Sequence, residues 1–275
     1  MTRILDGKLV AKHILTYIPR NESIQPLLHI ICTSDDPASE VYVRQKRKVC
    51  EAEGIRVVIK DLSKLPKAEI LESMLQSRIV ADGIIVQLPV RKDLNARELI
   101  EYIRPSQDVD CLTYESMGKL QSGAKGVMPP CTPNGIMHML KYYGIDVDGK
   151  RACILGRSEI VGKPIAAMLQ NANATTICCN SHTLDVKGLT LASDIIVCAV
   201  GIPKFLTKDM VKQGAVVIDV GINRLNGKLC GDADYTELLG WAGAITPVPG
   251  GVGRTTTASL VQNMYQTVLP SLWRK

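Results

Sequence analysis

A chain of 275 residues, 46% of them hydrophobic, is long enough for one large core or for two domains sharing a cleft. Its 33 Lys and Arg against 27 Asp and Glu give a net charge of +6, yet the basic residues are dispersed and only one Phe and two Trp accompany them, which argues against nucleic acid and for an anionic small molecule. No apolar run reaches the roughly 18 to 20 residues of a membrane span, and the opening Met1-Thr2-Arg3-Ile4-Leu5-Asp6-Gly7 lacks the apolar stretch of a secretory signal, so no membrane partner and a cytoplasmic location are expected.

Short apolar runs alternate with helical patterns, the mark of α/β architecture. Residues 27–32 read as a strand and 39–53 as a helix stopped by Gly54; 55–59 is a second strand, 67–76 a helix, 83–87 a third strand ended by Leu88-Pro89, and 94–103 a helix stopped before Pro105. Such strands read as parallel and buried on both faces. The turn-rich passage 106–133 holds Gly118, Gly123, Gly126 and the run Pro129-Pro130-Cys131-Thr132-Pro133, and the domain boundary is expected there. After a helix over 134–143 comes a second βα series, with strands at 152–155, 175–179, 195–199, 216–220 and 244–245, and a last helix over 257–269 that returns to the first domain. The nine cysteines are odd in number and scattered, with no Cys-x-x-Cys and no nearby His pair, so neither a disulfide framework nor a metal site is indicated.

Within the helix 39–53, Tyr42 and Lys46 lie four residues apart and share a face. If that face lines a cleft, Tyr42 offers a flat surface to a ring-shaped substrate, and Lys46 offers a proton-transfer group whose pKa burial would lower toward neutrality. The run Lys46-Arg47-Lys48 fits equally well a solvated basic face.

Residues 152–164, Ala-Cys-Ile-Leu-Gly-Arg-Ser-Glu-Ile-Val-Gly-Lys-Pro, read as an apolar strand, a glycine turn and a helix start, the setting in which backbone N–H groups and a helix dipole hold a pyrophosphate. Ser158 stands where the second glycine of the common G-x-G-x-x-G pattern would be. The next strand ends Thr176-Ile177-Cys178-Cys179-Asn180-Ser181, without the carboxylate that usually binds ribose hydroxyls in NAD sites. Arg157 and Ser181 instead offer a charge-assisted bond and a hydroxyl to a 2′-phosphate, which favours NADP. Asp219-Val220-Gly221-Ile222-Asn223-Arg224 and the glycine-rich loop 246–253 fall on the same edge.

These pieces together resemble the bifunctional methylenetetrahydrofolate dehydrogenase/methenyltetrahydrofolate cyclohydrolase family over nearly the whole length. The resemblance rests on Pro37 to Lys46, Gly83 to Pro89, Asp108-Val109-Asp110, Pro130 to Pro133, Gly156 to Pro164, Asp219 to Arg224 and Pro247 to Gly253. It implies an N-terminal α/β catalytic domain, 1–120, completed by the C-terminal helix 257–275, and a Rossmann-like NADP-binding domain, 121–256, with a folate cleft between them, in a homodimer. Tyr42 would stack on the folate, Lys46, held by Gln87, would transfer protons in the cyclohydrolase step, and Asp110 would hydrogen-bond the pterin amino edge. Val43, Arg44, Gln45, Val86 and Leu88, with the loop Pro249, Gly250, Gly251, Val252 and Gly253, would line the folate. Gly156, Arg157, Ser158, Ser181, Ile222 and Thr256 would hold NADP.

The implied activity is oxidation of 5,10-methylenetetrahydrofolate and hydrolysis of the methenyl product to 10-formyltetrahydrofolate, in one-carbon metabolism. The chain departs from the family at Cys111, where glycine is usual, at Asn180, where His is usual, and at Arg254-Thr255, where Pro-Met is usual. A side chain at 111 would shift Asp110 if the backbone there needs φ > 0. A monofunctional dehydrogenase and a non-catalytic folate or nucleotide sensor are the alternatives.

Overall fold

The structure, a computed structural model, describes residues 1–273. Two compact units emerge: Met1–Ile14 with Thr132–Thr256, and Leu15–Cys131 with the chain from Thr257 onward. The elements run β1 (Arg3–Ile4), α1 (Gly7–Thr16), β2 (Leu27–Cys32), α2 (Pro37–Ala52), β3 (Arg56–Asp61), α3 (Lys67–Val80), β4 (Gly83–Val86), α4 (Ala96–Glu101) and α5 (Tyr114–Gln121). They continue with α6 (Cys131–Tyr142), β5 (Arg151–Leu155), α7 (Gly162–Asn171), β6 (Thr175–Cys179), α8 (Val186–Leu191), β7 (Ile195–Cys198) and β8 (Val216–Asp219). A hairpin, β9 (Asn223–Leu225) and β10 (Lys228–Cys230), then α9 (Tyr235–Leu238), β11 (Ala244–Ile245) and α10 (Val252–Val268) complete the chain.

The unit built on Leu15–Cys131 centres on a parallel three-stranded sheet in the order β3-β2-β4. β2 reads Leu-Leu-His-Ile-Ile-Cys because both its faces are covered. Its alternate residues Leu28 and Ile30 join Val43 and Cys50 of α2 and Leu260, Val261 and Met264 of α10 in one apolar cluster. Leu27 and Ile31 join Ile70 and Met74 of α3 and Leu99 and Ile100 of α4 in the other. The turn-rich passage hides a helix: Thr113 caps α5 by accepting the Ser116 N–H at 3.2 Å, the Ser/Thr signal of a helix start.

The other unit is a six-stranded, all-parallel sheet in the order β1-β11-β8-β7-β5-β6. The chain leaves β5 to one side for β6 and returns to the other side for β7, so the strand order reverses beside β5, the doubly wound arrangement whose ligands sit outside the strand C-termini at the reversal. Its core gathers Cys153, Leu155, Cys179, Ile196, Cys198, Val217 and Ile245.

The N-terminal segment groups differently in the structure from the expected domain limits. Residues 1–14 group with the nucleotide-type sheet and not with 15–131, because β1 pairs with β11 through Arg3↔Ala244 and Ile4↔Ile245, and the Gly7 N–H donates to Gly250 O at 2.9 Å. The last helix also begins earlier than expected: α10 starts at Val252, where the Thr255 and Thr256 hydroxyls donate back to Val252 O at 2.8 and 3.2 Å. Val252 and Gly253 are therefore helical and not part of the glycine loop.

Candidate active site

In the unit of Leu15–Cys131, one turn of α2 brings Tyr42 and Lys46 to a common face, with Tyr42 41% exposed and Lys46 half-buried. Lys46 Nζ donates to Gln87 Oε1 at 3.0 Å. Gln87 continues the β4 ladder, its N–H on Ile31 O at 2.9 Å, and its Nε2 donates to Leu88 O at 2.8 Å. With Nε2 so engaged, the amide oxygen faces the ammonium, and the lysine keeps two further N–H donors for a ligand.

The Lys46 cation acts on three thiols. Burial pushes Cys50 up to about 12, and the Lys46 cation works against that shift, as it does for Cys32. Burial drives the Cys131 thiol well above its usual range; Asp110 adds to the rise and Lys46 opposes it, so Lys46 and Asp110 both act on Cys131. The Cys131 N–H donates to Asp110 Oδ1 at 3.2 Å and its thiol to Val109 O at 3.2 Å. Asn263 of α10 donates to Val109 O at 2.8 Å and Pro129 O at 2.7 Å, tying the strand of residues that carries Asp110 to the one that carries Cys131. Neither Cys131 nor Asn263 was expected at the site, since a buried Cys and a helix-interior Asn read as ordinary core residues from sequence alone.

The helix period narrows the expected run 42–46. Val43 is 4% exposed in the apolar core, a third of a turn away from Tyr42. Arg44 is exposed and pairs with Glu40 at 3.6 Å, and Gln45 is exposed. Val86 is likewise core, at 3% exposure, and Leu88 packs beside it. Tyr42, Lys46, Gln87 and Asp110 remain as side chains available to a substrate.

In the unit of Thr132–Thr256, Gly156 turns out of β5 at φ 109°, and a Cβ there would lie 2.2 Å from Ala199 O at the exit of β7. Arg157 and Ser158 follow on the exposed surface, and Ser158 Oγ accepts the Val161 and Gly162 N–H groups that open α7, at 3.2 and 3.3 Å. Asn180 follows the end of β6, its Oδ1 accepts the His182 N–H at 3.0 Å, and this turn leaves Ser181 exposed. Ile222, 46% exposed, follows β8. Gly156 and the residues after β5, β6, β7 and β8 thus share the C-terminal edge of one sheet at its order reversal, with a close-approach glycine, an exposed guanidinium and no carboxylate at the end of β6. That set fits a phosphorylated dinucleotide.

Thr256 stands apart from this edge group: its hydroxyl lies 3.1 Å from Thr132 Oγ1 and bonds Val252 O on α10. In the loop expected to touch folate, Pro249 and Gly253 are exposed and Gly250 is half-buried, whereas Gly251 and Val252 are buried within this unit. Among the described residues, no group of three or more His, Cys, Asp or Glu is arranged to hold a metal.

Two family sequence models match the chain: tetrahydrofolate dehydrogenase/cyclohydrolase, catalytic domain, over residues 5–110, and the NAD(P)-binding domain of the same enzymes over residues 130–271. A bifunctional protein FolD of Campylobacter curvus is 45% identical over 278 residues, covering 96% of this chain and 95% of that protein. Among solved structures, the bifunctional FolD methylenetetrahydrofolate dehydrogenase/cyclohydrolase of Campylobacter jejuni superposes with a TM-score of 0.92 at 38% identity, over 98% of this chain and all of that one. The Trypanosoma brucei N5,N10-methylenetetrahydrofolate dehydrogenase-cyclohydrolase, solved with NADP cofactor and an inhibitor, gives a TM-score of 0.92 at 31% identity over 98% of each chain.

Proposed function

This chain belongs to the tetrahydrofolate dehydrogenase/cyclohydrolase family, and from that membership we infer that it carries both activities: NADP-dependent oxidation of 5,10-methylenetetrahydrofolate, and hydrolysis of the 5,10-methenyl product to 10-formyltetrahydrofolate. The unit of Leu15–Cys131 with the chain from Thr257 serves the folate chemistry, and the unit of Met1–Ile14 with Thr132–Thr256 serves the nucleotide.

When bound, NADP would supply the hydride acceptor for the one-carbon bridge. Arg157 and Ser181 would hold its 2′-phosphate, and the Gly156 turn would receive the pyrophosphate. The chain's own contribution to this step is placement, since no proton moves to or from the enzyme.

Hydrolysis differs, because water adds to the methenyl carbon, a C–N bond of the bridge opens and one proton is released in net. Lys46, aimed by the Gln87 amide, carries these proton transfers, and the ring of Tyr42 holds the folate ring system against the same face. Asp110, fixed by the Cys131 N–H, accepts from the pterin amino edge. The observation that carries the hydrolytic half is the 3.0 Å bond from Lys46 to Gln87. A monofunctional dehydrogenase would leave that aligned pair without a task. A cytoplasmic homodimer completes this reading; among the described residues no helix is long and apolar enough to cross a membrane.

The deciding experiment supplies purified protein with 5,10-methylenetetrahydrofolate and either NADP⁺ or NAD⁺, following reduced cofactor, methenyl and formyl products separately. NADPH formation with accelerated conversion to the formyl product is expected, and Arg157→Ala is expected to raise KM for NADP⁺ without raising it for NAD⁺. NADPH formation with hydrolysis at the uncatalysed rate would reduce the assignment to a dehydrogenase, and ligand binding without turnover would replace it with a sensor.

A further inference from the structure

Two carboxylates are buried where β7 and β8 end. Asp219, at the tip of β8, is 2% exposed, and Asp232, just past the β9–β10 hairpin, is fully buried. Neither has a cationic partner among the described residues. Asp219 Oδ1 accepts the N–H groups of Gly221 at 3.0 Å and Asp232 at 2.9 Å, and its Oδ2 accepts that of Ala233 at 2.9 Å. Asp232 Oδ2 accepts the N–H groups of Val200 at 2.7 Å and Gly201 at 2.8 Å, and its Oδ1 accepts Asn223 Nδ2 at 2.8 Å. Burying two acids against neutral donors alone is an expensive way to stabilise a fold, and apolar packing would serve that purpose better.

What the pair does accomplish is geometric. Val200 and Gly201 are the first residues beyond the β7 exit, and the Ala199 carbonyl just before them is the atom against which Gly156 is packed. Asp232 therefore fixes the wall behind the nucleotide turn. The same carboxylate holds Asn223, and Asp219 holds Gly221, so the two acids grip both sides of exposed Ile222. The fit excludes side chains: a Cβ at Gly221 would lie 2.1 Å from Asp232 Oδ1, and one at Gly231 would lie 1.8 Å from Asp219 Oδ2.

We propose that Asp232, held in place by Asp219, is a positioning residue for the dinucleotide: it locks the exits of two adjacent strands, β7 and β8, into one preformed surface that backs the Gly156 turn and presents Ile222. This rests on the assignment of that sheet edge to NADP. The acids touch no cofactor; they remove the cost of ordering two loops when the nucleotide binds.

The test measures NADP⁺ binding by titration calorimetry, together with KM for NADP⁺ and KM for 5,10-methylenetetrahydrofolate. Asp232→Asn is expected to raise the NADP⁺ Kd and KM at least tenfold while the folate KM moves by less than twofold; a general loss of structure would raise both together. Asn223→Ala keeps both buried acids but takes from Asp232 Oδ1 the donor that ties it to the residue after Ile222; it is expected to raise the NADP⁺ Kd about two- to fivefold, and decides the matter if Asp232→Asn does not fold. Unchanged NADP⁺ affinity in the folded variants would overturn the positioning role, as would an equal rise in both KM values. Failure of the unmodified protein to bind NADP⁺ would instead overturn the nucleotide assignment on which the proposal stands.

Discussion

The Cys111 N–H donates to the Asp108 carbonyl oxygen at 3.2 Å, and the turn so closed holds Cys111 at φ 55°, in the left-handed region. The turn's own first residue braces it: the buried Asp108 carboxylate accepts the N–H groups of Leu112 and Thr113 at 2.9 and 2.8 Å and the Thr113 hydroxyl at 2.8 Å. A side chain here costs about 1 to 2 kcal/mol of backbone strain, at a residue that directly follows Asp110. Cys111→Gly relieves that strain and loses a buried thiol, 1% exposed, so its stability is expected within about 1 kcal/mol of the parent. Cys111→Val, β-branched at a left-handed position, is expected to lose at least about 2 kcal/mol. Urea unfolding of the two variants checks this, and equal losses would show that the conformation at 111 is not what matters.

On the proposed function, Gln87 would act on hydrolysis through the Lys46 amine, which donates to its Oε1 at 3.0 Å. Gln87→Ala is therefore expected to slow hydrolysis of supplied 5,10-methenyltetrahydrofolate by about 10- to 100-fold, and Lys46→Met by about 10²- to 10⁴-fold, the range typical of a lost proton-transfer group. NADPH formation should fall by less in both, because hydride transfer asks only for placement. Stopped-flow absorbance of the methenyl form separates the two steps, and equal losses in both would mean that Lys46 serves to bind folate and nothing more.

Legibility followed the local signals. The strands of both sheets other than β1 were readable because each is a short apolar run between turn residues, and Gly156 was readable because a strand, a glycine and a helix start occur in that order. Tyr42 and Lys46 followed from helical spacing. Long-range pairing was not readable: two residues of β1 carry no periodicity, and only the partner strand β11, some 240 residues on, assigns them to a sheet. The Asp219–Asp232 pair was hidden for a related reason, since an Asp at a strand end looks like a ligand or a cap until the backbone N–H groups converging on it are seen. Val43 and Val86 were included with their neighbours because a motif is a run in sequence, whereas a site takes one face of a helix or strand.

His29 sits on β2 at 4% exposure, its Nδ1 3.1 Å from Ser77 Oγ on α3. Burial, aided by Lys60 and Arg56, lowers its pKa from 6.5 to about 4. The unfolded chain therefore binds this proton more readily than the folded one. The contribution is fully present above about pH 6.5 and is lost as the pH falls toward 4. Asp219 runs the other way, since burial raises it from 3.8 to about 6, so its contribution is fully present below about pH 3.8 and is lost as the pH rises through 6. The difference between the parent and His29→Gln isolates the histidine: the variant is expected to lose less stability than the parent between pH 6.5 and 4. Parallel melting-temperature curves across that window would show that His29 carries no pH-dependent stability.

Gly156 is held by two constraints at once, φ 109° and the Ala199 carbonyl, which a Cβ would approach to 2.2 Å. The obstacle is backbone and cannot rotate away, and Ala199 is followed by Val200 and Gly201, which the Asp232 carboxylate holds. Gly156→Ala must therefore move either the turn or the exit of β7. The strain and the steric displacement together are expected to cost about 2 to 3 kcal/mol of stability, and the KM for NADP⁺ is expected to rise at least tenfold. Hydrolysis of supplied 5,10-methenyltetrahydrofolate reports on the other unit, which carries Lys46 and Gln87, and is expected to survive at temperatures where the variant remains folded. If NADP⁺ affinity were unchanged in a folded Gly156→Ala protein, the pyrophosphate could not lie on this turn, and the nucleotide would have to be sought elsewhere along the sheet edge.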